Sequence, residues 1–382
     1  MTDLAAAAPA GTGTHRAELP PRADDPLALA PLCASCPKLC APSCPVQSAT
    51  GREAVAPWRI SATVRDARRT GWTAESLHAA SSCTGCAGCT HACLPGVRLP
   101  EESRAARADA AAAGVLLPAA AALRARIVAT GSPRRGSPAA GELAVGGDPS
   151  AATALFFGCP VQAGRPSVGL AARRLAAAAG TPVRCSADEA CCGGAALDLG
   201  LVTEARDLAV RCARQLTGAD RVVVLSPGCA RTMRDDWPEW GIGVPPLTTG
   251  VEWLAAELAA GRLSLHKDDG SAPVAWHDPC TLARLLDVRD APRSVLAALG
   301  LGVREPVATG LHTRCAGGGQ AYPLVDAAGA AQVAGQRAAE LGVLGASVVS
   351  ACAQAELMLT AAGAPARDIL EVAAERLSRP AV

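Results

Sequence analysis

Cys33, Cys36, Cys40 and Cys44 form C-x2-C-x3-C-x3-C with Pro45 following, and Cys83, Cys86, Cys89 and Cys93 form C-x2-C-x2-C-x3-C with Pro95 two residues on. These eight thiols constrain the chain more than any other feature. Three closely spaced thiolates fit three corners of a cubane, because each short loop reaches about one iron. Two such quartets are the ligand set for a pair of [4Fe–4S] clusters. The competing assignment is a pair of structural zinc sites, each tetrahedral with four thiolates. Zinc modules usually pair two C-x2-C hairpins across a longer gap. Here four cysteines fall within a dozen residues, twice, each run trailed by proline. The spacing therefore favours iron–sulfur.

The second run resembles bacterial ferredoxins in spacing, while the first carries one extra residue between Cys36 and Cys40. In two-cluster ferredoxins the fourth cysteine of each run ligates the other cluster. That resemblance implies one cluster on Cys33, Cys36, Cys40 and Cys93, and a second on Cys83, Cys86, Cys89 and Cys44.

With 382 residues the chain is long enough for two or three domains. A net charge of +1 gives no electrostatic argument for a nucleic-acid or membrane-surface partner. Seventeen cysteines in cluster-type spacing point to a reducing, cytoplasmic compartment instead of a disulfide framework. Met1–Ala10 lacks the basic and apolar regions of a signal peptide. The most apolar run, Ala110–Leu123, contains Pro118 and is too short to span a bilayer, so any membrane association would come through a partner.

The fold class expected is multidomain: an N-terminal all-α ferredoxin domain followed by two tandem α/β repeats. Residues 1–28, rich in Ala, Pro, Gly and charge, read as a disordered tail. Residues 29–130 read as the helical ferredoxin domain, with helices between Ile60 and Ala80, a cap at Thr73, and a helix over 103–128. Residues 131–150 read as a Gly/Pro/Ser-rich linker. After it, apolar strands at Ala152–Gly158, Arg221–Ser226, Pro273–Asp278 and Ala346–Ala351 alternate with helical stretches at Val168–Ala179, Thr203–Leu216, Val325–Leu341 and Ala366–Leu377. The cysteines keep register, since Cys192 to Cys229 and Cys315 to Cys352 are both 37 positions. Two copies of one unit therefore run over 151–262 and 272–382, the second degenerate.

The first copy offers Cys159, Cys191, Cys192 and Cys229, enough for a third cluster. The second offers only Cys280, Cys315 and Cys352, weaker candidates, because Arg314 replaces the first member of the cysteine pair. Glycines after each pair allow positive φ and bring N–H donors close to sulfur. Cys212, inside a helical stretch, reads as a core residue, and Cys185 as core or a spare ligand. His277 and His312 read as hydrogen-bonded structural groups, with ligation or proton relay as the sharper alternative.

Taken in order, the paired runs, FFGCP (Phe156–Pro160), CCGG (Cys191–Gly194), SPGC (Ser226–Cys229), HDPC (His277–Cys280) and RCAGGG (Arg314–Gly319) resemble an iron–sulfur subunit superfamily. It includes the iron–sulfur subunits of glycolate oxidase and of anaerobic glycerol-3-phosphate dehydrogenase, lactate-utilisation proteins and heterodisulfide reductase subunits. The resemblance covers about residues 30–370. It implies an electron-transfer subunit working between an FAD-containing dehydrogenase, acting on a small 2-hydroxy acid or similar substrate, and a quinone or other carrier. The sequence has no flavin or nicotinamide motif of its own, so a partner is required. A second implication is disulfide or thiol reduction at the first repeat. A third is a docking protein whose C-terminal half keeps only the fold. Thr232 and Ala355 stand where the last cysteine of each family motif would be, which counts against the disulfide reductase chemistry.

Overall fold

The computed structural model describes residues 29–377 apart from 132, 134–138, 146, 187, 268, 269 and 271. The tail expected over 1–28 lies outside the described residues. Among the described residues, 29–130 form helices and turns without a strand. Helix α1 (Pro57–Thr70) starts at a proline, which has no N–H to lose in a first turn. It buries Ile60, Val64 and Ala67, spaced three to four apart on one face. Helix α2 (Ala74–Ser81) is capped as the sequence predicts: Thr73 Oγ1 accepts from the Ser76 amide at 3.1 Å, and Ser76 Oγ accepts from the Thr73 amide at 3.0 Å. The helix predicted over 103–128 is two helices, α3 (Leu99–Ala112) and α4 (Pro118–Thr130). Gly114 turns the chain at φ +82° and Pro118 opens the next helix. Helices α1, α2 and α3 pack on one another.

Part of the stretch read as a linker is ordered against the first repeat. Ala139–Ala144 is a short helix whose Leu143 is buried beside Phe157. Gly169 makes room for it, since a Cβ there would stand 2.5 Å from Leu143 Cδ2.

Each repeat builds a four-stranded parallel sheet with the same order. The first contains β1 (Thr153–Phe156), β2 (Val183–Arg184), β3 (Arg221–Val224) and β4 (Leu247–Thr249), arranged β2-β1-β3-β4. The second contains β5 (Val274–Trp276), β6 (Val303–Arg304), β7 (Ser347–Ser350) and β8 (Ala366–Asp368), arranged β6-β5-β7-β8. The central strands are almost wholly buried, as expected for parallel strands covered on both faces. Ala366–Leu377 corrects the sequence reading, because its first three residues form edge strand β8 ahead of a helix. Two or three residues carry too little periodicity to separate a strand from a helix start.

The repeats pack as reciprocal partners. Helix α5 (Pro166–Ala178) follows β1, α6 (Val202–Leu216) precedes β3, and α7 (Gly250–Ala259) follows β4. Helix α8 (Asp290–Ala298) follows β5, α9 (Ala327–Gly342) precedes β7, α10 (Ala353–Ala361) follows β7, and α11 (Ile369–Ala374) follows β8. Helix α5 packs on α11, and α8 packs on α7, so the helix after each first strand meets the helix after the other repeat's last strand. One continuous core joins the repeats through Trp276, Leu282, Val295 and Ile369. The N-terminal helices are fixed to this body by charge as well as packing: Arg104 of α3 reaches Asp198 at 2.8 Å and Asp236 at 3.0 Å.

Candidate metal centres

The cysteines of the two N-terminal runs sort into two groups, with the fourth member of each run exchanged. Cys40 is acted on by Cys33, Cys93 and Cys36, and Cys33 by Cys93 and Cys36. Cys44 is acted on by Cys86 and Cys83, while Cys89 faces Cys83, Cys44 and Cys86 most strongly and Cys40 last. Each group borders a cavity. The first, of about 260 Å³, is walled by Cys33, Cys36, Cys40 and Cys93 together with Cys89, Trp58 and Leu99, and opens to solvent. The second is walled by Cys44, Cys83, Cys86 and Cys89. The two differ in depth. All four thiols of the second group are buried, whereas Cys33, Cys36, Cys40 and Cys93 are half-buried. Burial pushes the Cys44 and Cys83 thiols up to about 12 and Cys40 up to about 11, against partial relief from nearby amides. Among the described residues, no three His, Cys, Asp or Glu side chains close around a point as ligands of a single ion would. The thiols surround cavities instead.

One backbone device recurs at three sites. Cys83 Sγ accepts from the Gly85 amide at 3.3 Å, Cys191 Sγ from Gly193 at 3.4 Å, and Cys315 Sγ from Gly317 at 3.3 Å. The glycines have φ of +66°, +90° and +91°, the left-handed region that curls the chain back towards the sulfur two residues earlier. Cys93 Sγ accepts from Val97 at 3.4 Å. The other glycines of the runs serve close packing. A Cβ on Gly194 would lie 2.7 Å from Thr232 Oγ1, and one on Gly319 would lie 2.1 Å from the Thr84 carbonyl oxygen.

The repeat cysteines follow from the sheet topology. In the order β2-β1-β3-β4 the connections diverge between β1 and β3, and ligands of such sheets bind beyond the strand C-termini at that point. Cys159 follows β1 and Cys229 follows β3, with Cys191 and Cys192 in the loop after β2. Cys159 Sγ lies 3.8 Å from Cys191 Sγ, and the Cys192 thiol is held by Cys191 and Cys229, which with burial push it well up. All four first-repeat candidates therefore converge. Glu189 holds the turn into Cys159 by accepting from the amides of Phe157 at 2.7 Å and Gly158 at 2.9 Å. Cys185 stands apart, beside Arg173 and Glu189, and burial raises it to about 11. Cys212 is buried in the apolar core.

The second repeat brings together two of its three cysteines. Cys280 acts on Cys315 and lowers its thiol to about 6 against burial, with help from the Gly317 amide and the Thr84 hydroxyl. Cys352 is acted on by Glu356 and Asp368, and its backbone amide donates to Glu356 at 3.2 Å. Arg314 is paired with Glu340 at 2.8 Å. His277 is buried and accepts on Nδ1 from Arg337 at 3.2 Å; burial, then Arg337, drive its pKa well down, so it is a neutral structural group. His312 meets His91 edge to face, ring centres 5.4 Å apart.

The sequence reading missed what joins the second repeat to the deeper N-terminal cavity. Arg284 donates through Nε to the Cys86 carbonyl at 2.7 Å and through Nη1 to the carbonyls of Leu311, at 2.9 Å, and Thr313. Gln320 accepts from Arg107 at 2.8 Å and donates to the Pro100 carbonyl at 3.3 Å. Neither residue type marks a ligand in sequence.

Residues 153–234 and 274–360 match the family described as "CCG: Cysteine-rich domain". Both repeats thus match the cysteine-rich CCG domain, consistent with the iron–sulfur superfamily that the motifs resemble. Over 156 residues the chain is 30% identical to one subunit of the fumarate reductase (CoM/CoB) of Methanothermobacter marburgensis, covering 41% of this chain and 31% of that protein. It is 32% identical over 141 residues to one subunit of the dihydromethanophenazine:CoB–CoM heterodisulfide reductase of Methanosarcina barkeri, covering 35% and 34%. It is 31% identical over 150 residues to lactate utilization protein A of Geobacillus kaustophilus, covering 37% and 62%. The chain thus spans about a third of the length of the two methanogen subunits. No helix among the described residues is long and apolar enough to cross a membrane.

Proposed function

We propose that this chain is the iron–sulfur electron-transfer subunit of an oxidoreductase. One [4Fe–4S] cluster would bind Cys33, Cys36, Cys40 and Cys93, and the other Cys83, Cys86, Cys89 and Cys44. The observation that carries this reading is the exchange of Cys44 and Cys93 between the two thiol groups, which border adjoining cavities sharing Cys89 and Leu99. Similarity to subunits of fumarate reductase and heterodisulfide reductase and to a lactate utilization protein supports the same class. The donor set fits the cofactor: thiols, apolar walls, and amides aimed at sulfur.

Bound clusters supply one-electron transfer. The protein's part is ligation, exclusion of water and the N–H donors that tune potential. The half-buried first group faces solvent and suits exchange with an FAD-containing dehydrogenase partner, which would oxidise a small 2-hydroxy acid or a similar substrate. The buried second group lies against the second repeat, on the way to a quinone or other carrier. The assembly would work in the cytoplasm, or at a membrane through a partner.

A second reading rests on the first repeat. Cys159, Cys191, Cys192 and Cys229 offer four thiols for a third cluster, where a disulfide or thiol substrate could be reduced. Thr232, next to Gly194, supplies no thiolate, and Cys185 does not join the group. Iron, acid-labile sulfide and zinc per chain in anaerobically purified protein test both readings. About eight irons support two clusters and a conduit, and about twelve add the first repeat. Zinc without sulfide overturns the proposal. Turnover with a flavoprotein dehydrogenase, set against turnover with small disulfides, separates conduit from reductase.

A further inference from the structure

The second repeat has lost the thiols needed for a four-thiolate site, yet it keeps two of them as neighbours at the strand ends. Cys280 follows β5 and Cys315 lies in the loop after β6, so both flank the crevice at which the second sheet's connections diverge. Each thiol acts on the other, and the residues two positions before them are tied directly, Thr313 Oγ1 donating to the Asp278 carbonyl at 2.8 Å. Cys352 is acted on by Glu356 and Asp368, and Arg314 is paired with Glu340. The further thiol acting on Cys280 is Cys86, a member of the buried N-terminal group. The loops carrying the pair are built for fixed placement. Asp278 accepts from Trp276, Arg293 and the Gly310 amide, and its carbonyl accepts from Thr313 Oγ1 at 2.8 Å, tying the Cys280 turn to the Cys315 loop. Arg284 ties both to the Cys86 carbonyl.

We propose that Cys280 and Cys315 are a redox-active pair that cycles between dithiol and disulfide beside the Cys86 cluster site. Reduction breaks the S–S bond, takes two electrons and two protons, and yields two thiols. Oxidation returns the same electrons and protons. The electrons would pass one at a time to or from a cluster held by the neighbouring Cys86 group, and the protons would exchange with water at half-buried Cys280. For its electron source alone, the proposal rests on the iron–sulfur reading given above. The pair would hold two electrons where the clusters carry one each, matching one-electron relay to two-electron chemistry.

The test is peptide mapping by mass spectrometry of the intact protein, purified anaerobically and then treated with diamide. A linked Cys280–Cys315 peptide is expected, lost in Cys280→Ser and Cys315→Ser and retained in Cys352→Ser, with iron unchanged in all three. Absence of that peptide from the unmutated protein would overturn the proposal, whatever the variants do. Loss of iron in Cys280→Ser or Cys315→Ser would also overturn it, by making the pair cluster ligands. Reduced methyl viologen, a one-electron donor, should free both thiols in the iron-loaded protein, and a persistent linkage would overturn the route through the cluster. If the chain proves to lack iron but still forms the linked peptide, the electron-transfer reading fails and the dithiol pair stands.

Discussion

Arg284 Nε donates to the carbonyl oxygen of Cys86 at 2.7 Å, joining the second repeat to the middle of the second cysteine run. The guanidinium is almost fully buried and also serves the carbonyls of Leu311 and Thr313. A charged donor shared among three carbonyls, two of them in buried contacts, is a strong tie, because removing it takes a partner from all three. Arg284→Ala should therefore lower unfolding free energy by about 2–4 kcal/mol. It should also alter the electron paramagnetic resonance spectrum of a cluster at Cys86. Arg284→Lys should recover little, since one ammonium cannot span the planar fork. Denaturant titration and spectra of the reduced protein check this. An unchanged spectrum would leave Arg284 as a packing residue alone.

The proposed ligand sets, with Cys44 and Cys93 exchanged, make a separable prediction. Cys93→Ala and Cys83→Ala should each remove about four irons per chain and end electron flow. Full iron with full turnover in either variant would sink the assignment. Cys212→Ala should leave iron unchanged and cost about 1 kcal/mol, because its buried sulfur packs in the apolar core of the first repeat.

Much of this arrangement is legible in the chain itself. The 37-residue register of Cys192–Cys229 and Cys315–Cys352 anticipates two sheets of identical strand order. Thr73 announces its helix because capping is local chemistry. Helical spacing between Ile60 and Ala80 survives as α1 and α2, whereas 103–128 hides a break because alanine carries no amphipathic contrast around Gly114. Edge strands β4 and β8, at three residues each, leave no pattern to read. Long-range relations are the least legible. Nothing near Arg284 or Gln320 in sequence says that each meets an N-terminal segment.

The glycine run Gly317–Gly319 gives a graded test of that long-range contact. A Cβ on Gly319 would stand 2.1 Å from the Thr84 carbonyl oxygen, a backbone atom that must move. On Gly318 the nearest atoms belong to the Gln354 side chain at 2.7 Å, which can swing aside. Gly319→Ala should cost about 2–3 kcal/mol and disturb the Cys83–Cys86 loop, while Gly318→Ala should cost under about 1 kcal/mol. Gly317→Ala should resemble Gly319→Ala for another reason, its φ of +91° and the Ala330 carbonyl 2.6 Å from the added carbon. Equal costs at 318 and 319, by denaturant titration, would mean that the repeat does not press on Thr84.

Asp278 predicts a pH signature. Burial raises its carboxyl, but Arg293 at 2.8 Å, Trp276 Nε1 at 2.7 Å and the Gly310 amide at 2.7 Å outweigh burial and hold it at about 2, below the ordinary 3.8. Because the folded value is depressed, the stabilisation is complete above the unfolded value and disappears as pH falls from about 4 through about 2. At pH 7 it amounts to about 2 kcal/mol. Asp278→Asn should thus lose about 2–3 kcal/mol at neutral pH, and the gap from the unmutated protein should narrow towards pH 3. A gap independent of pH would assign the loss to packing instead of ionisation. The same substitution should loosen the turn before Cys280, so the yield of the Cys280–Cys315 disulfide after diamide should fall alongside stability. An unchanged yield would show that Asp278 does not position the pair.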